Sequence, residues 1–396
     1  MYKLNRADIS LLNLLKKAMF GYNEPIVIDS LKDTYDNCTV HSVIPLCFDS
    51  LSGLGFDESE IYAQWRNDAV LTLMKNDRIM RIQQQLCDAF KQQDIKMYVI
   101  KGCSAAYYYR RPELRMLGDI DIFTRNNDFD RACCLLEKSG FKLISSTDYH
   151  NAYIFDDIEV ELHRSLHALP DNGIKERVVE VLSDSAFDNV TIDNYSFSMP
   201  NVVTNVLVQL LHMQEHLQNG GLGIRQVCDW AAIRCNRDYI DNKQEIDSLL
   251  GEIGLVKLEK CFSAMCKKYL GMPLKENYSD DIYSLADDLI CDIMQSGNFG
   301  SKSQEIYFNS SIFVAQNNGN NGFTAKLKNY IEFAYNSFPI CRKYKILVPI
   351  SPFVIIPRYI YRVIRGKRVA ISPFRMAKSV KERASVYKKL EIFKVK

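Results

Sequence analysis

The chain has 396 residues, 47% apolar and 25% charged, with 18 Gly and 11 Pro, the profile of an ordinary globular protein large enough for two or three domains; a disulfide miniature and wholesale disorder are excluded. The net charge of +2 hides an asymmetry, because residues 341–396 carry 16 Lys and Arg against two acids, Glu382 and Glu391, a tail of +14 beside a remainder of −12. The 12 cysteines lie scattered without CxxC spacing, which predicts free thiols in a reducing, cytoplasmic setting.

In chain order, residues 1–95 repeat apolar side chains at spacings of three and four, as in Leu11, Leu12, Leu14, Leu15 and again Val70, Leu71, Leu73, Met74, Ile79, Ile82, Leu86. This region is predicted helical, with Gly53 and Gly55 in a loop. Its first twenty residues break their apolar character with charges and lack a small-residue cleavage site, so no signal peptide is expected. At Met97 the period changes. MYVI, the alternating DIDIF (119–123), FKLIS (141–145), NAYIF (151–155) and the strictly alternating IEVELH (158–163) predict strands, with helices at 103–109 and 127–139, giving β-α-β-α-β-β-β. From about 170 to 270 helical periodicity returns, and 275–335 reads as helical with a polar loop, QNNGNNG (316–322). The expected organisation is a helical region over 1–95, an α+β core with a mixed sheet over 96–168, a helical domain over 169–335 and a basic tail over 336–396. The longest uncharged apolar run, Ile346 to Pro357, holds three prolines and is far short of the ~20 residues that cross a bilayer, so no transmembrane segment is expected.

Period two places Asp119 and Asp121 on one face of their strand, with Ile120 and Ile122 turned to the core. The same rule gathers Glu159, Glu161 and His163 on one face of IEVELH. If the two strands are neighbours, Glu161 completes a cluster of three carboxylates. Adjacent carboxylates repel, so such a cluster is stable mainly around a divalent cation, and oxygen ligands of this hardness select Mg²⁺ or Mn²⁺. A DxD alone is more often a solvated face. Upstream, however, Val99-Ile100-Lys101-Gly102-Cys103-Ser104 reads as a strand ending in a Gly turn that opens a helix, where backbone N–H groups, Lys101 and the Ser104 hydroxyl would receive a phosphate. Arg115, four residues before Asp119 and following Arg110 and Arg111, suits bidentate phosphate contact. His163 either orients Glu161, touches an acceptor, or is a satisfied strand-end histidine.

In this order of motifs the sequence resembles the nucleotidyltransferase superfamily, whose pattern is a strand, a Gly-containing turn, a DxD strand and a third acid on a later strand. It is most similar to uncharacterised bacterial nucleotidyltransferases with a Lys-Gly turn, an Arg before the DxD strand and ExH after it, here Lys101-Gly102, Arg115, Asp119-Ile120-Asp121 and Glu161-Leu162-His163. The specific part covers about residues 97–164, with fainter similarity at Gly223-Ile224-Arg225 leading to Asp229-Trp230. The resemblance implies Asp119, Asp121 and Glu161 as catalytic, metal-holding acids, and Lys101, Gly102, Ser104, Arg115 and His163 around the nucleotide. It implies Mg²⁺ or Mn²⁺, an NTP donor and an unidentified hydroxyl acceptor. Cys103 departs from the small or hydroxyl residue usual at that turn, so either Ser104 takes the hydroxyl role or none is needed. Two alternatives stand beside NMP transfer: a toxin-type enzyme of a toxin–antitoxin pair that modifies tRNA, and a catalytically silent nucleotide- or nucleic-acid-binding module of the same fold.

Weaker signals remain. His212 and His216 share a helix face without a third zinc ligand, and are expected on the surface or in the core. Arg225 and Asp229, at i and i+4, fit an ordinary helix pair better than a cleft wall. Tyr107, Tyr108 and Tyr109 divide between core and base stacking. The tail's mix of aromatic, apolar and basic residues fits docking on the protein's own acidic remainder, a peripheral contact with an anionic membrane surface, or a grip on nucleic acid.

Overall fold

The structure is a computed structural model and describes residues 2–147, 149–164, 186–219 and 221–297, with short pieces at 178, 331, 341, 344–351, 383 and 385–391. The polar loop 316–322 and most of the basic tail lie outside the described residues.

The N-terminal region is helical: α1 (Arg6–Phe20), α2 (Leu31–Val40), α3 (Ile44–Asp49) and α4 (Glu60–Gln92). Helix α1 starts at a reciprocal cap in which the Asn5 side chain accepts from Asp8 N and Asp8 accepts from Asn5 N, and it stops at Gly21, whose φ of 68° no β-carbon favours. Its buried stripe, Leu11, Leu12, Leu14 and Leu15, is the one its spacing predicts. Helix α4 buries Trp65, Ile79, Ile82, Leu86 and Phe90 at helical spacing.

The core follows: β1 (Tyr98–Val99), α5 (Gly102–Ala106), β2 (Ile120–Phe123), α6 (Asn126–Lys138), β3 (Lys142–Ser146), β4 (His150–Phe155) and β5 (Ile158–His163). The sheet order is β1-β2-β5-β4-β3. Only β2 and β5 run parallel, with Asp121 opposite Glu161; the other neighbours are antiparallel. The crossover needed for that parallel pair is α6 with the β3–β4 hairpin, and α6 packs Phe129, Ala132 and Leu136 into the core. The expected strand order along the chain is present. The helix expected over 103–109 is shorter, ending at Ala106 before a turn.

Residues 170–270, expected to be helical, contain a hairpin of β6 (Phe187–Ile192) and β7 (Tyr195–Pro200). It is fixed to the core by Phe187, which stacks on Tyr98 at 3.5 Å between centroids, and to α4 by Tyr195 OH donating to Asp77 (2.7 Å) and Ser196 N donating to Gln84 (2.8 Å). Then come α7 (Val202–Asn219), α8 (Ile224–Cys235), α9 (Arg237–Asp241), α10 (Lys243–Ile253), α11 (Val256–Leu270) and α12 (Asp280–Ser296). Helix α8 is buried along almost its whole length. In the tail, Val386, Tyr387 and Leu390 join the main core, and Arg383 Nε lies 2.7 Å from Asp292 on α12, so this piece docks on the protein itself. No helix among the described residues is long and apolar enough to cross a membrane.

Asn76 on α4 is buried and grips the loop that leads into β2. Its amide donates to the carbonyls of Glu113 (3.0 Å) and Arg115 (2.8 Å) and accepts from Leu117 N (2.9 Å). Asn76→Ala strands three backbone groups and is expected to cost about 2–4 kcal/mol, read as a lower urea midpoint with unchanged slope. A midpoint shift equivalent to less than about 0.5 kcal/mol would show that the loop holds itself.

Candidate active site

One cleft of about 270 Å³ lies between the sheet and helices α5, α7 and α8, lined on one side by Lys101, Asp119, Asp121 and Glu161 and on the other by Asn205, Gln209, Arg225 and Asp229. The three predicted acids are brought together. Asp121 faces Glu161 across the parallel pair, and Asp119 precedes β2 by one residue. His163 Nε2 is 2.9 Å from Asp121 Oδ1 and 3.2 Å from Glu161 Oε2, so it bridges two acids, one of the readings its sequence position left open.

Lys101 sits at the elbow between β1 and α5 with φ 53° and ψ −125°. The strained residue of the turn is therefore the lysine and not Gly102; such a conformation costs about 1–3 kcal/mol in a non-glycine residue and persists only where the surroundings enforce it. It swings the ammonium over the acids, 2.9 Å from Asp121 Oδ1 and 3.9 Å from Glu161 Oε2. Gly102 has room for a β-carbon, which would meet the Asp119 carbonyl at an ordinary contact distance of 3.6 Å.

Electrostatics follow from these distances. Burial pushes the Asp121 carboxyl up, but the Lys101 charge and the His163 hydrogen bond outweigh it and hold the group well below the usual carboxylate range. Asp119 goes the other way. The charge of Asp121, then burial, then Glu161 push it up to about 6. For Lys101, burial favours the neutral form, and Asp121 overcomes it, keeping the ammonium charged. Three acids thus line one cleft beside the Lys101 ammonium and the His163 ring, and their hard oxygens suit Mg²⁺ or Mn²⁺. Among the described residues, the set of three donors whose ligand atoms all lie within 4.8 Å of one another is His150, Glu161 and His163, which shares Glu161 with the three acids.

Arg115, expected at the phosphates, lines the cleft but is engaged by Asp229 on α8, with Nε and Nη2 each 2.7 Å from its carboxylate. Tyr109 OH donates to the same carboxylate (2.7 Å). Arg115 and Asp229 are both buried, so the fork ties the loop before β2 to the helical domain. Asp229 therefore pairs across the fold and not with Arg225 along its own helix. The Ser104 hydroxyl donates to Asn205 Oδ1 (2.9 Å), whose amide donates to Tyr108 OH (3.2 Å) and the Pro200 carbonyl (2.6 Å); Ser104 is a joint between α5 and α7. His212 and His216, expected away from any site, line the cleft with their Nε2 atoms 2.9 Å apart. Asn76, Asn205, Gln209 and Arg225 carried no local signal of their place here, except that Arg225 stands in the fainter part of the family resemblance.

A mixed sheet whose one parallel pair sets Asp121 opposite Glu161, roofed by helices across a polar cleft, defines a nucleotidyltransferase-like fold. Residues 31–271 match the model of a family described as uncharacterised nucleotidyltransferase, and the chain belongs to that family. The crystal structure of an antigenic nucleotidyltransferase-like protein from Paracoccidioides brasiliensis is similar over 50% of this chain and 95% of its own, at 14% sequence identity and a TM-score of 0.32. No curated protein matches the chain.

Proposed function

We propose that the protein transfers an NMP from an NTP to a hydroxyl acceptor, using Mg²⁺ or Mn²⁺ held by Asp119, Asp121 and Glu161. The observation that carries this reading is the register that sets Asp121 opposite Glu161, with Asp119 pushed up to about 6 by the charge beside it. A divalent ion there would polarise the α-phosphate and lower the pKa of the acceptor hydroxyl. The chain's own residues supply the rest. Lys101 and His163 keep Asp121 ionised and aimed. Glu161 is the acid nearest to solvent access among the strand pair, a fifth exposed where Asp121 is 4% exposed, and so is placed to take the acceptor proton. Arg115, through Asp229, fixes the separation of the two walls.

The reading is tested by incubating the protein with each labelled NTP, Mg²⁺ or Mn²⁺ and cell lysate, then separating protein, RNA and small molecules. Label in one fraction with release of pyrophosphate is expected. Label on tRNA would select the toxin-type alternative. No transfer with either ion, while an NTP still binds, would leave the silent binding module. NTP binding is further expected to need the ion, and calorimetry showing equal affinity in chelator would overturn the metal assignment.

The +14 tail fits a polyanionic contact during this reaction. Binding to RNA or to anionic vesicles is expected to weaken as salt rises, since exposed charges are screened within ~8 Å at physiological ionic strength. Binding to neither at low salt would assign the tail to docking of the kind Arg383 makes.

A further inference from the structure

The phosphate contacts expected from the sequence are spoken for. Lys101 is on Asp121, Arg115 is on Asp229, and α5 is only five residues long, too short a helix to gather a strong dipole at its start. Of the Lys and Arg side chains lining the cleft, Lys101 and Arg115 are ion-paired, and Arg225 makes no ion pair among the described residues. Its Nη1 donates to the Met116 carbonyl (3.0 Å), and its Nε is buried with no partner. On the same wall of the cleft, Gln209 Nε2 is likewise buried without a partner among the described residues. Burial and the neighbouring Arg115 pull the Arg225 guanidinium below its usual range, and the more distant charges of Asp229 and Asp119 offset them only in part.

Two orphaned groups in one cavity, both donors, call for a ligand that brings acceptors. One of them carries a full charge, so the ligand is an anion, and a buried charge without a counter-ion costs several kcal/mol unless its partner arrives with the substrate. We propose that Arg225 and Gln209 form the polyphosphate site of the cleft, holding the terminal phosphates of the NTP opposite the three acids. This rests on the nucleotidyl-transfer reading and adds to it the residues that grip the leaving group. Arg115, by contrast, is a positioning residue.

The experiment uses inorganic tripolyphosphate with Mg²⁺, which carries no base and so does not depend on which NTP is used, with inorganic monophosphate as control. The full chain binds tripolyphosphate, and Arg225→Gln weakens it about 10- to 100-fold, the scale of a charged hydrogen bond. Gln209→Met weakens it about 2- to 10-fold. Arg225→Lys, which keeps the charge and loses the planar fork, falls between unaltered protein and Arg225→Gln. Without ligand, Arg225→Gln melts at or above the temperature of the unaltered protein, because it removes an unpaired buried charge. Unchanged tripolyphosphate affinity in both Arg225 variants would overturn the assignment while NMP transfer by the unaltered protein still stood. An Arg225→Gln variant that melts several degrees lower, with affinity unchanged in Arg225→Lys, would make Arg225 a structural pin. Failure of the unaltered protein to bind tripolyphosphate or any NTP would overturn this site and the nucleotidyl-transfer reading together.

Discussion

Asp119→Asn and Asp121→Asn both silence transfer, by about 10³-fold or more, and they move stability in opposite directions. A held divalent ion supplies several kcal/mol to the transition state, at about 1.4 kcal/mol per tenfold in rate, so loss of either ligand is felt fully in the chemistry. In the resting fold the two acids are not equivalent. Asp121 is the anion that Lys101 and His163 both lean on, 2.9 Å from each. Its removal leaves the Lys101 ammonium with Glu161 at 3.9 Å and the more distant charge of Asp119, and is expected to cost about 3 kcal/mol. Asp119 is the surplus charge, pushed up to about 6 by Asp121, and Asp119→Asn is expected to gain about 1–2 kcal/mol at pH 7. The folded state holds the Asp119 proton more tightly than the unfolded chain does. This group's stabilisation is therefore full below its ordinary value of 3.8 and is lost as pH rises through about 6. Asp119→Asn should flatten that part of the profile. Urea titrations of the metal-free protein from about pH 4 to 7, beside label transfer, decide it; equal destabilisation by both variants would mean that the acids do not share one field.

Asp229→Ala is expected to cost about 3–5 kcal/mol, the penalty for leaving one member of a buried pair uncompensated. Here the stranded group is Arg115, 7% exposed and held by two bonds of 2.7 Å. Tyr109 OH loses its acceptor at the same time. Arg115→Met combined with Asp229→Leu should recover most of the loss, because replacing both members by apolar groups of similar volume removes the desolvation cost as well as the attraction. Urea midpoints of the two single variants and the double variant form the cycle that measures this coupling. If Arg115→Ala leaves stability within about 0.5 kcal/mol and instead weakens NTP binding, the guanidinium belongs to the phosphates and not to Asp229.

What the sequence revealed of the core was whatever a single element encodes. The alternation in DIDIF and IEVELH carries its own face assignment, so Asp119, Asp121, Glu161 and His163 were legible from period two, and their meeting needed only that the strands pair. The hairpin at 187–200 was not legible. Its strand FDNVTI presents mostly polar residues to solvent and no clean apolar face, and it lies within a long stretch of helical spacing. Local spacing also misassigned Asp229. The i,i+4 rule offers Arg225, yet the partner is Arg115, 114 residues away, chosen by burial and by bidentate fit that no window along the chain contains. Asn76 on a long helix looks like a surface amide until the loop it holds has folded against it. At the elbow, Gly102 looked like the conformational pivot, but the unusual backbone belongs to Lys101, because the acids on the neighbouring strands reward the lysine for adopting it.

The long span of the Arg115–Asp229 fork also sets a timetable for the newborn chain. At about 5–20 residues added per second, the 114 residues between them take roughly 6–23 s to be made. Through that interval the arginine has no counter-ion, and from the completion of β5 at His163 onward the chain carries its acids without the wall that faces them. Helix α8 is thus the element whose emergence converts an open sheet into a closed cleft. A chain cut short before residue 229 keeps the acids and loses the means of holding a substrate against them.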